Sequence, residues 1–461
     1  MNPNRFEMPD NYYFGGGGAT FLPPLAIGIL IVAVILILAL PRKYAVAPLL
    51  LACILLPQQL NVIVGGLHFP VERILLLVGW VRCLSRREYV IGRWNPLDKS
   101  IVWWAALNAI TFSLLWAALS AVTNRIGFLY TNLGSYLLFR FLIRDKADVI
   151  RTIKVFAVIV AIIAPLMLGE HLTRQNGFSF LGANPLAGVR DGSVRAQGPF
   201  AHAIIAGTFG AMLMPLFVGL WWRREHNRWL LGLGIAGSAV MTIASASSTP
   251  LMAFGAGTLA LLFWRERKRL RVYRWGVVIV LVTLHLVMKA PVWFLIARVG
   301  GTTGGSGYHR AVLIDNFVKH FSEWWLIGTR NNADWGYYMW DVDNAYVAAG
   351  VGGGLITFIL FIAILVYAFK RIGAARKLAE RSPKDARLIW AIGAALFANA
   401  VAFFGIFYFD QSIVAWYALL AMAAVSAKLI PPKKTPGLEG KSAGLSAEAP
   451  ASQGVHVFTP A

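Results

Sequence analysis

Apolar runs alternate with short polar connections along almost the whole chain. Most runs contain about 20 residues, the length that an α-helix needs to cross about 30 Å of hydrocarbon. The pattern therefore predicts an all-α polytopic membrane protein with about 12–13 transmembrane helices, because two of the thirteen runs are short and the fifth contains polar residues. The predicted spans are 21–40, 44–59, 68–84, 101–120, 127–143, 151–168, 200–221, 229–247, 250–264, 275–294, 344–369, 388–408 and 412–430.

Composition supports the same class of protein. Of 461 residues, 58% are hydrophobic, and the mean hydropathy is +0.63, which excludes an ordinary soluble globule. The two cysteines, Cys53 and Cys83, both fall within predicted spans. They therefore predict neither a disulfide framework nor a metal site.

The net charge is +22, and the basic residues are distributed along the chain as the predicted topology requires. Basic residues concentrate in the odd-numbered connections, so the positive-inside rule predicts cytoplasmic odd-numbered connections, a cytoplasmic C-terminus and an outer N-terminus. The excess charge is then explained by topology and contact with anionic membrane lipids, and no nucleic-acid partner is expected. The basic segments are 42–43, 86–93, 144–151, 223–228, 265–274, 370–387 and 433–434.

Three regions are predicted along the chain. Residues 1–20 form a polar outer N-terminal segment without a cleavable signal, and 21–430 form the membrane domain. Residues 431–461, rich in Pro, Ala, Gly and Ser, are expected to be a disordered cytoplasmic tail. Two outer loops are long, at about 169–199 and, between spans ten and eleven, at about 295–343. Loops of this length usually carry function.

The first outer loop places two arginines, Arg190 and Arg195, just before span seven, with His202 in the first turn of that span. A helix N-terminus favours an anion, and nearby arginines would complete a phosphate site. Alternatively, the arginines extend to lipid headgroups. His202 on its own is more typical of a core histidine with satisfied hydrogen bonds.

In the second outer loop, a helix is predicted over 309–322 with Arg310 on its apolar side. Arg310 then either reaches the lipid interface or binds an anion held beneath the helix. The glycine-rich segment 300–307 before it would let the helix shift as a lid. The predicted apolar face consists of Ala311, Ile314, Phe317, Val318 and Phe321.

The same loop ends in a dense set of aromatic and acidic residues. The aromatic residues fit an interfacial belt, but their flat faces also suit sugar rings. At the start of span eleven, one of Asp341, Asp343 and Asn344 can cap the helix, and a second carboxylate is a candidate general base. The aromatic residues are Trp324, Trp325, Trp335, Tyr337, Tyr338 and Trp340.

Four motifs occur in order between about residues 150 and 425. They are an Arg-x-x-Gly-Pro-Phe entry to a span (Arg195, Gly198, Pro199, Phe200, with His202 and Gly207), an arginine in an outer-loop helix (Gly307, Arg310), a WWLIG turn ending at Gly328, and DNAYVAAGVGGGLI (Asp343, Asn344, Tyr346, Gly350, Gly353). In this combination and topology the chain resembles the bacterial O-antigen ligase and Wzy-type polysaccharide polymerase superfamily. It departs from the ligase-like pattern at Asp343, which stands in place of a histidine. It also has Gly328-Thr329-Arg330 where the family usually has Gly-x-Gly after the turn. The arginine that the family often has near 244–250 is missing.

The resemblance implies a GT-C-like, metal-independent glycosyltransferase without a cofactor, in the bacterial inner membrane. Its partners would be an undecaprenyl-pyrophosphate-linked oligosaccharide and a glycan acceptor, with a chain-length regulator as a further candidate. The implied catalytic residues are Asp343, Arg310 and Arg195; the donor pyrophosphate would contact Arg190, Arg195 and Arg310; the acceptor or sugar would contact His202, His309, Trp335, Tyr338, Trp340, Asn344 and Tyr346.

Four functions remain open at this point, one of them a structural, non-enzymatic subunit. The leading hypothesis is a polymerase of repeat units for O-antigen, capsule or exopolysaccharide. A ligase that transfers glycan to lipid A–core is the close alternative, disfavoured by Asp343. A multispan transporter is the rival from another class, and the lack of an evident inverted repeat counts against it.

Overall fold

The computed structural model describes residues 19–65, 67–90, 92, 94–223, 225–300, 306–409 and 411–430. The predicted tail at 431–461, residues 1–18 of the N-terminal segment and residues 301–305 of the glycine-rich segment lie outside the described residues. The described part of the protein is mostly helical, with 73% of those residues in helices. The predicted helical class is therefore confirmed.

Every predicted span contains at least one helix. In the described chain the helices are α1 (Pro24–Ala39), α2 (Arg42–Leu55), α3 (Val71–Ser85), α4 (Pro96–Trp116), α5 (Leu119–Leu142), α6 (Lys146–Thr173), α7 (Ala203–Trp221), α8 (Arg228–Ala244), α9 (Ser248–Leu262), α10 (Leu270–Val287), α11 (Leu295–Gly300), α12 (Ser306–Lys319), α13 (Phe321–Trp324), α14 (Ala345–Val351), α15 (Gly354–Leu378), α16 (Pro383–Ala402) and α17 (Gln411–Val425). Short 3₁₀ turns at 179–181, 292–294, 332–335, 379–381 and 426–429 connect some of them.

Six helices in the described ranges are long and apolar enough to cross a membrane. Three shorter apolar helices, α1, α8 and α9, accompany them. Helix α10 has no buried residue, so its apolar side chains face outward all round, as suits contact with lipid. A membrane protein is thereby supported, and the count of 12–13 spans stays a prediction. The six are Lys146–Thr173, Ala203–Trp221, Leu270–Val287, Gly354–Arg381, Pro383–Ala402 and Gln411–Leu429.

The predicted eleventh span is broken into two helices, α14 and α15. The WWLIG turn packs against the break: the Thr329 amide donates to the Val351 carbonyl at 2.9 Å, and the Leu355 amide to the Trp325 carbonyl at 2.8 Å. Gly328 has a φ of +99°, and a Cβ there would lie 2.2 Å from the Val351 oxygen. The break therefore requires glycine at this contact.

The predicted outer loops also contain strands. Two antiparallel hairpins are present, β1 (Asn61–Val64) with β2 (Leu67–Pro70), and β3 (Gly188–Arg190) with β4 (Ser193–Arg195). The second hairpin turns at Asp191 and Gly192, whose φ angles of 50° and 76° are both positive. Such an Asp-Gly turn matches the right-handed twist of paired strands. Residues 68–70, which were predicted to begin the third span, lie in β2 instead.

The odd-numbered connections meet at one end of the protein, here called the paired end. Arg42 donates to Asp148 at 2.8 Å, which joins the first connection to the fifth. Asp385, after span eleven, lies 2.5 Å from both Lys146 and Arg223, which belong to the fifth and seventh connections. These ion pairs agree with the predicted grouping of basic connections on one side.

The even-numbered connections meet at the opposite end, here called the cavity end. The Gln411 amide donates to the carbonyls of Leu56 and Pro199, both at 3.0 Å. Arg310, in the loop after span ten, donates to the Gly405 carbonyl at 3.2 Å. The two long outer loops therefore lie at the same end.

Candidate functional site

A cavity of about 2070 Å³ lies at the cavity end. It exceeds the roughly 300–1,000 Å³ of a pocket for one drug-sized molecule. Both long loops contribute to its lining, together with α3, α4, α5 and the segment after α16. Eight of the residues expected at the site from the sequence line it: Arg190, Arg195, His202, His309, Arg310, Tyr338, Trp340 and Asp343. Three others, Trp335, Asn344 and Tyr346, are not in its lining.

Arg310 projects from α12 into the protein and is 1% exposed. Its Nε donates to Asp343 Oδ2, its Nη1 to Ser248 Oγ and its Nη2 to the Gly405 carbonyl, each at 3.2 Å. Arg310 therefore does not reach lipid headgroups. Its position agrees with the alternative that it faces a site beneath the helix.

The buried face of α12 differs from the predicted one. Val318 and Phe321 are 51% and 45% exposed, whereas Leu313 is fully buried. The helix ends at Lys319, and a new short helix begins at Phe321. As a result the buried stripe runs through Arg310, Leu313 and Phe317, and Arg310 is at its start.

Asp343 presents a carboxylate of which only one oxygen is paired. Oδ2 accepts from Arg310, whereas Oδ1 is buried and has no hydrogen-bond partner among the described residues. Burial raises the pKa of Asp343, and the nearby Arg310 charge opposes that shift. Asn344 caps the N-terminus of α14: its side chain accepts hydrogen bonds from the amides of Tyr346 and Val347 at 2.9 and 3.2 Å. Asp343 is therefore free of the capping role.

The β3–β4 hairpin brings two arginines to the cavity. Arg195 Nη2 donates to Ser247 Oγ at 2.6 Å, and its buried Nε has no partner within the described chain. Burial and the nearby charges of Arg190 and Arg310 lower the pKa of Arg195. Arg190 is more open, and its Nε lies 3.6 Å from Asp191. The clustered guanidinium charges make this part of the cavity attractive to an anion.

A buried carboxylate holds the chain between β4 and α7. Glu170 accepts from the amides of Gln197 and Gly198 at 3.1 and 2.8 Å. The Ala196 amide donates to the Ala244 carbonyl at 3.0 Å. Sequence reasoning missed Glu170, although an acidic residue at the end of an apolar span is unusual enough to indicate a buried role.

Two histidines approach the cavity from different loops. His202 precedes α7 instead of lying in its first turn, and its ring packs 5.7 Å from Phe409. Burial and the charge of Arg195 lower the pKa of His202, which favours the neutral ring. His309 Nε2 lies 3.2 Å from the carbonyl oxygen of Asp341, which fixes the ring beside the loop.

The aromatic cluster divides into two parts. Tyr338 and Trp340 line the cavity and stack at 5.3 Å, and Tyr338 has a φ of +64°. A bulky residue with such a φ is a strained exception that is often found at functional sites. Trp335 instead donates to Glu323 at 2.8 Å and stacks on His320 at 5.2 Å. Its polar group is therefore engaged in packing of the loop.

Tyr346 also points away from the cavity. Its hydroxyl donates to the Ala400 carbonyl at 2.8 Å, and its ring packs 4.7 Å from Phe404. Asn344 uses both ends of its amide, since its nitrogen donates to the Phe404 carbonyl at 3.3 Å. The structure therefore does not bring Tyr346 and Asn344 together with the other residues expected to bind the acceptor.

Within the described ranges, no three His, Cys, Asp or Glu side chains are grouped so that they could hold a metal ion. A comparison with protein-family models found no match, and a comparison with curated proteins found none either. Fold and site together define a mostly helical membrane protein with a large cavity lined by guanidinium groups and one half-paired carboxylate.

Proposed function

We propose that this protein is a membrane glycosyltransferase that polymerises polysaccharide repeat units. It transfers a glycan from an undecaprenyl-pyrophosphate donor to a sugar hydroxyl at the periplasmic face of the inner membrane, with its C-terminus in the cytoplasm. The observation that carries the proposal is the buried Arg310 at the cavity wall, paired with Asp343 and close to Arg195.

The transfer requires charge stabilisation on the leaving diphosphate. The acceptor hydroxyl oxygen attacks the anomeric carbon, the bond from that carbon to the diphosphate oxygen breaks, and its electron pair leaves with undecaprenyl diphosphate. The guanidinium groups of Arg195 and Arg310 can stabilise this charge, because their planar donors suit phosphate oxygens. Arg195 and Arg310 donate to the uncharged hydroxyls of Ser247 and Ser248, and a diphosphate can replace these acceptors with anionic oxygens that bind a guanidinium more strongly.

The acceptor hydroxyl must also lose its proton. Asp343 Oδ1 is the proposed base, since that oxygen has no hydrogen-bond partner in the described part of the chain. The raised pKa of Asp343 makes its carboxylate a stronger base than an ordinary aspartate. The stacked faces of Tyr338 and Trp340 offer a platform for the sugar ring.

Replacement of Arg310 tests the proposal most directly. We expect Arg310→Ala to lower polymer by about 10²–10³-fold or more, because a buried donor to the leaving charge is lost. Arg310→Lys should restore little, since an ammonium does not reproduce the two-pronged guanidinium contact. Polymer is measured by gel ladder in cells, alongside the amount of membrane-inserted protein.

Arg228→Ala is the matched control. Arg228 packs over Trp221 at 4.7 Å and does not line the cavity, so its loss should leave polymer unchanged. Full-length polymer from a normally inserted Arg310→Ala protein would contradict the proposed donor site.

A further inference from the structure

The segment 194–199 leads from β4 toward α7 and carries Arg195. Groups that are distant in the chain hold its main chain on both sides of that arginine. Before it, the Val194 carbonyl accepts from His171 Nδ1 at 2.8 Å. After it, the Ala196 amide donates at 3.0 Å to the last carbonyl of α8. The main chain next to Arg195 is therefore fixed by α6 and α8.

The second half of the segment is held by three side chains. Glu170 accepts from the amides of Gln197 and Gly198 at 3.1 and 2.8 Å. Asn176 Nδ2 donates to the Gly198 carbonyl at 2.8 Å. Gln411, from α17, donates to the last carbonyl of the segment at 3.0 Å. Main-chain groups along the whole segment are thus bonded to other parts of the protein, which is unusual for a connection between two elements.

Glu170 is the charged member of this set of anchors. It lies near the outer end of α6 and is 1% exposed, and both of its hydrogen bonds come from uncharged main-chain amides. A buried carboxylate held by neutral donors is costly, and an ionisable residue at the end of an apolar span usually serves a function. Its two oxygens are both acceptors, so it can bind two neighbouring amides at once. The consecutive residues Glu170 and His171 therefore hold the chain on both sides of Arg195.

Arg195 depends on a fixed main chain because its side chain has few contacts of its own. Its Nη2 donates to Ser247 Oγ at 2.6 Å, and its buried Nε has no partner among the described residues. A guanidinium binds a diphosphate most tightly when its planar donors already point in the right direction before the ligand arrives. Freedom of the main chain at Arg195 would spread these donors over several directions and weaken binding.

We propose that Glu170 and His171 are positioning residues for Arg195, which fix the segment 194–199 so that the guanidinium faces the donor diphosphate. This inference rests on the proposed function. Neither residue belongs to the described lining of the cavity, so neither contacts the ligand directly. Their effect on the ligand passes through Arg195, and it disappears when that side chain is removed.

A double-mutant cycle tests the inference. Binding of farnesyl diphosphate to the full-length protein in phosphatidylcholine nanodiscs is measured for wild type, Glu170→Gln, Arg195→Ala and the double variant. Arg195→Ala should weaken binding at least about tenfold, because hydrogen bonds to a charged group are lost. Glu170→Gln keeps one accepting oxygen but turns an amide donor toward a main-chain amide. It should weaken binding at least about threefold, the order found for coupled residues, and cause no further loss once Arg195 is absent.

His171→Phe should show the same dependence on Arg195, because it removes the contact with the Val194 carbonyl. A purely structural role predicts a different result, since a loss of fold would weaken binding equally with and without Arg195. If Glu170→Gln does not fold, Glu170→Asp takes its place in the cycle, because it keeps both oxygens on a shorter side chain.

Glu88→Gln is the matched control. Glu88 is also a carboxylate with two hydrogen bonds, which Arg82 donates at 2.9 and 2.8 Å in the third connection, and its side chain is 13% exposed. This substitution should lower the temperature of thermal unfolding and leave binding of farnesyl diphosphate per folded molecule unchanged.

The outcomes separate the inference from the proposed function. If Arg195→Ala weakens binding and Glu170→Gln does not, or if Glu170→Gln weakens it equally in both backgrounds, the positioning role is wrong and the donor site stands. If Arg195→Ala binds as tightly as wild type, the donor site itself is wrong at Arg195, and the positioning role is refuted with it.

Discussion

The paired end and the cavity end both contain buried charged side chains, but the groups that contact those side chains differ. At the paired end, Asp148 and Asp385 each contact two basic side chains. At the cavity end, Arg195 and Arg125 contact hydroxyl and amide groups, and Arg310 shares one carboxylate. Charges that are fully paired hold helices together, whereas charges oriented by neutral groups remain available to a ligand.

The largest effect expected from this comparison concerns Asp343. Asp343→Asn keeps the shape of the side chain but removes the basic oxygen, and loss of a general base typically lowers rates by about 10²–10⁴-fold. Because Asn344 caps α14, the substitution should leave the helix intact. Polymer yield and the thermal unfolding of the purified protein are measured together.

The pH profile provides the control for Asp343. The base works in its ionised form, and its pKa is raised, so the wild-type rate should fall as the pH is lowered through that pKa. The remaining activity of Asp343→Asn should lack this fall. Asp341→Asn should keep it, and unchanged polymer from Asp343→Asn would refute the base assignment.

At the paired end we expect Asp385→Asn to act on stability. Asp385 is 3% exposed, and its loss leaves Arg223, itself 5% exposed, without that ion pair. Breaking a buried ion pair costs about 3–5 kcal/mol. Thermal unfolding and the yield of inserted protein should drop, while polymer per folded molecule stays near wild type. Normal stability with lost activity would break the comparison between the two ends.

The smallest effect is expected at Arg190. Its side chain is 44% exposed and its acidic neighbour Asp191 is 70% exposed. An exposed charge pair contributes about 0–1 kcal/mol, so Arg190→Ala should lower polymer by less than about fivefold. Arg195→Ala, in the same hairpin, should lower it far more. Equal losses from both variants would show that the hairpin acts as a unit.

The sequence was most informative where one local property determines the structure. Apolar runs predicted a helix for every span, and basic residues predicted which connections meet, as Asp148 and Asp385 show. The β3–β4 hairpin could also have been predicted, because Asp191-Gly192 is a strong turn signal and a valine lies two residues from it on each side.

The remaining features depend on contacts distant in the chain. The break between α14 and α15 depends on a turn that begins at residue 325 and packs against it. The glycines at the break do not reveal this contact, because the turn lies more than 20 residues earlier in the chain. The serines that contact Arg195 and Arg310 come from the α8–α9 junction, far from either loop. Trp335 and Tyr338 belong to the same aromatic run, so the sequence does not distinguish their roles. Their contacts do: Trp335 packs within the loop, and Tyr338 lines the cavity.

The joint at Gly328 has a consequence for how this protein can diversify. Its hydrogen bonds run between main-chain atoms, from Thr329 to Val351 and from Leu355 to Trp325. Such a joint requires glycine at its closest approaches, Gly328 and Gly354, where a Cβ would lie 2.2 Å from the Val351 oxygen and 2.5 Å from the Leu326 oxygen. The cavity-lining residues Tyr338 and Trp340 can therefore change during evolution while the carboxylate of Asp343 stays in register with Arg310. Under the proposed function, such changes would alter which sugar is accepted.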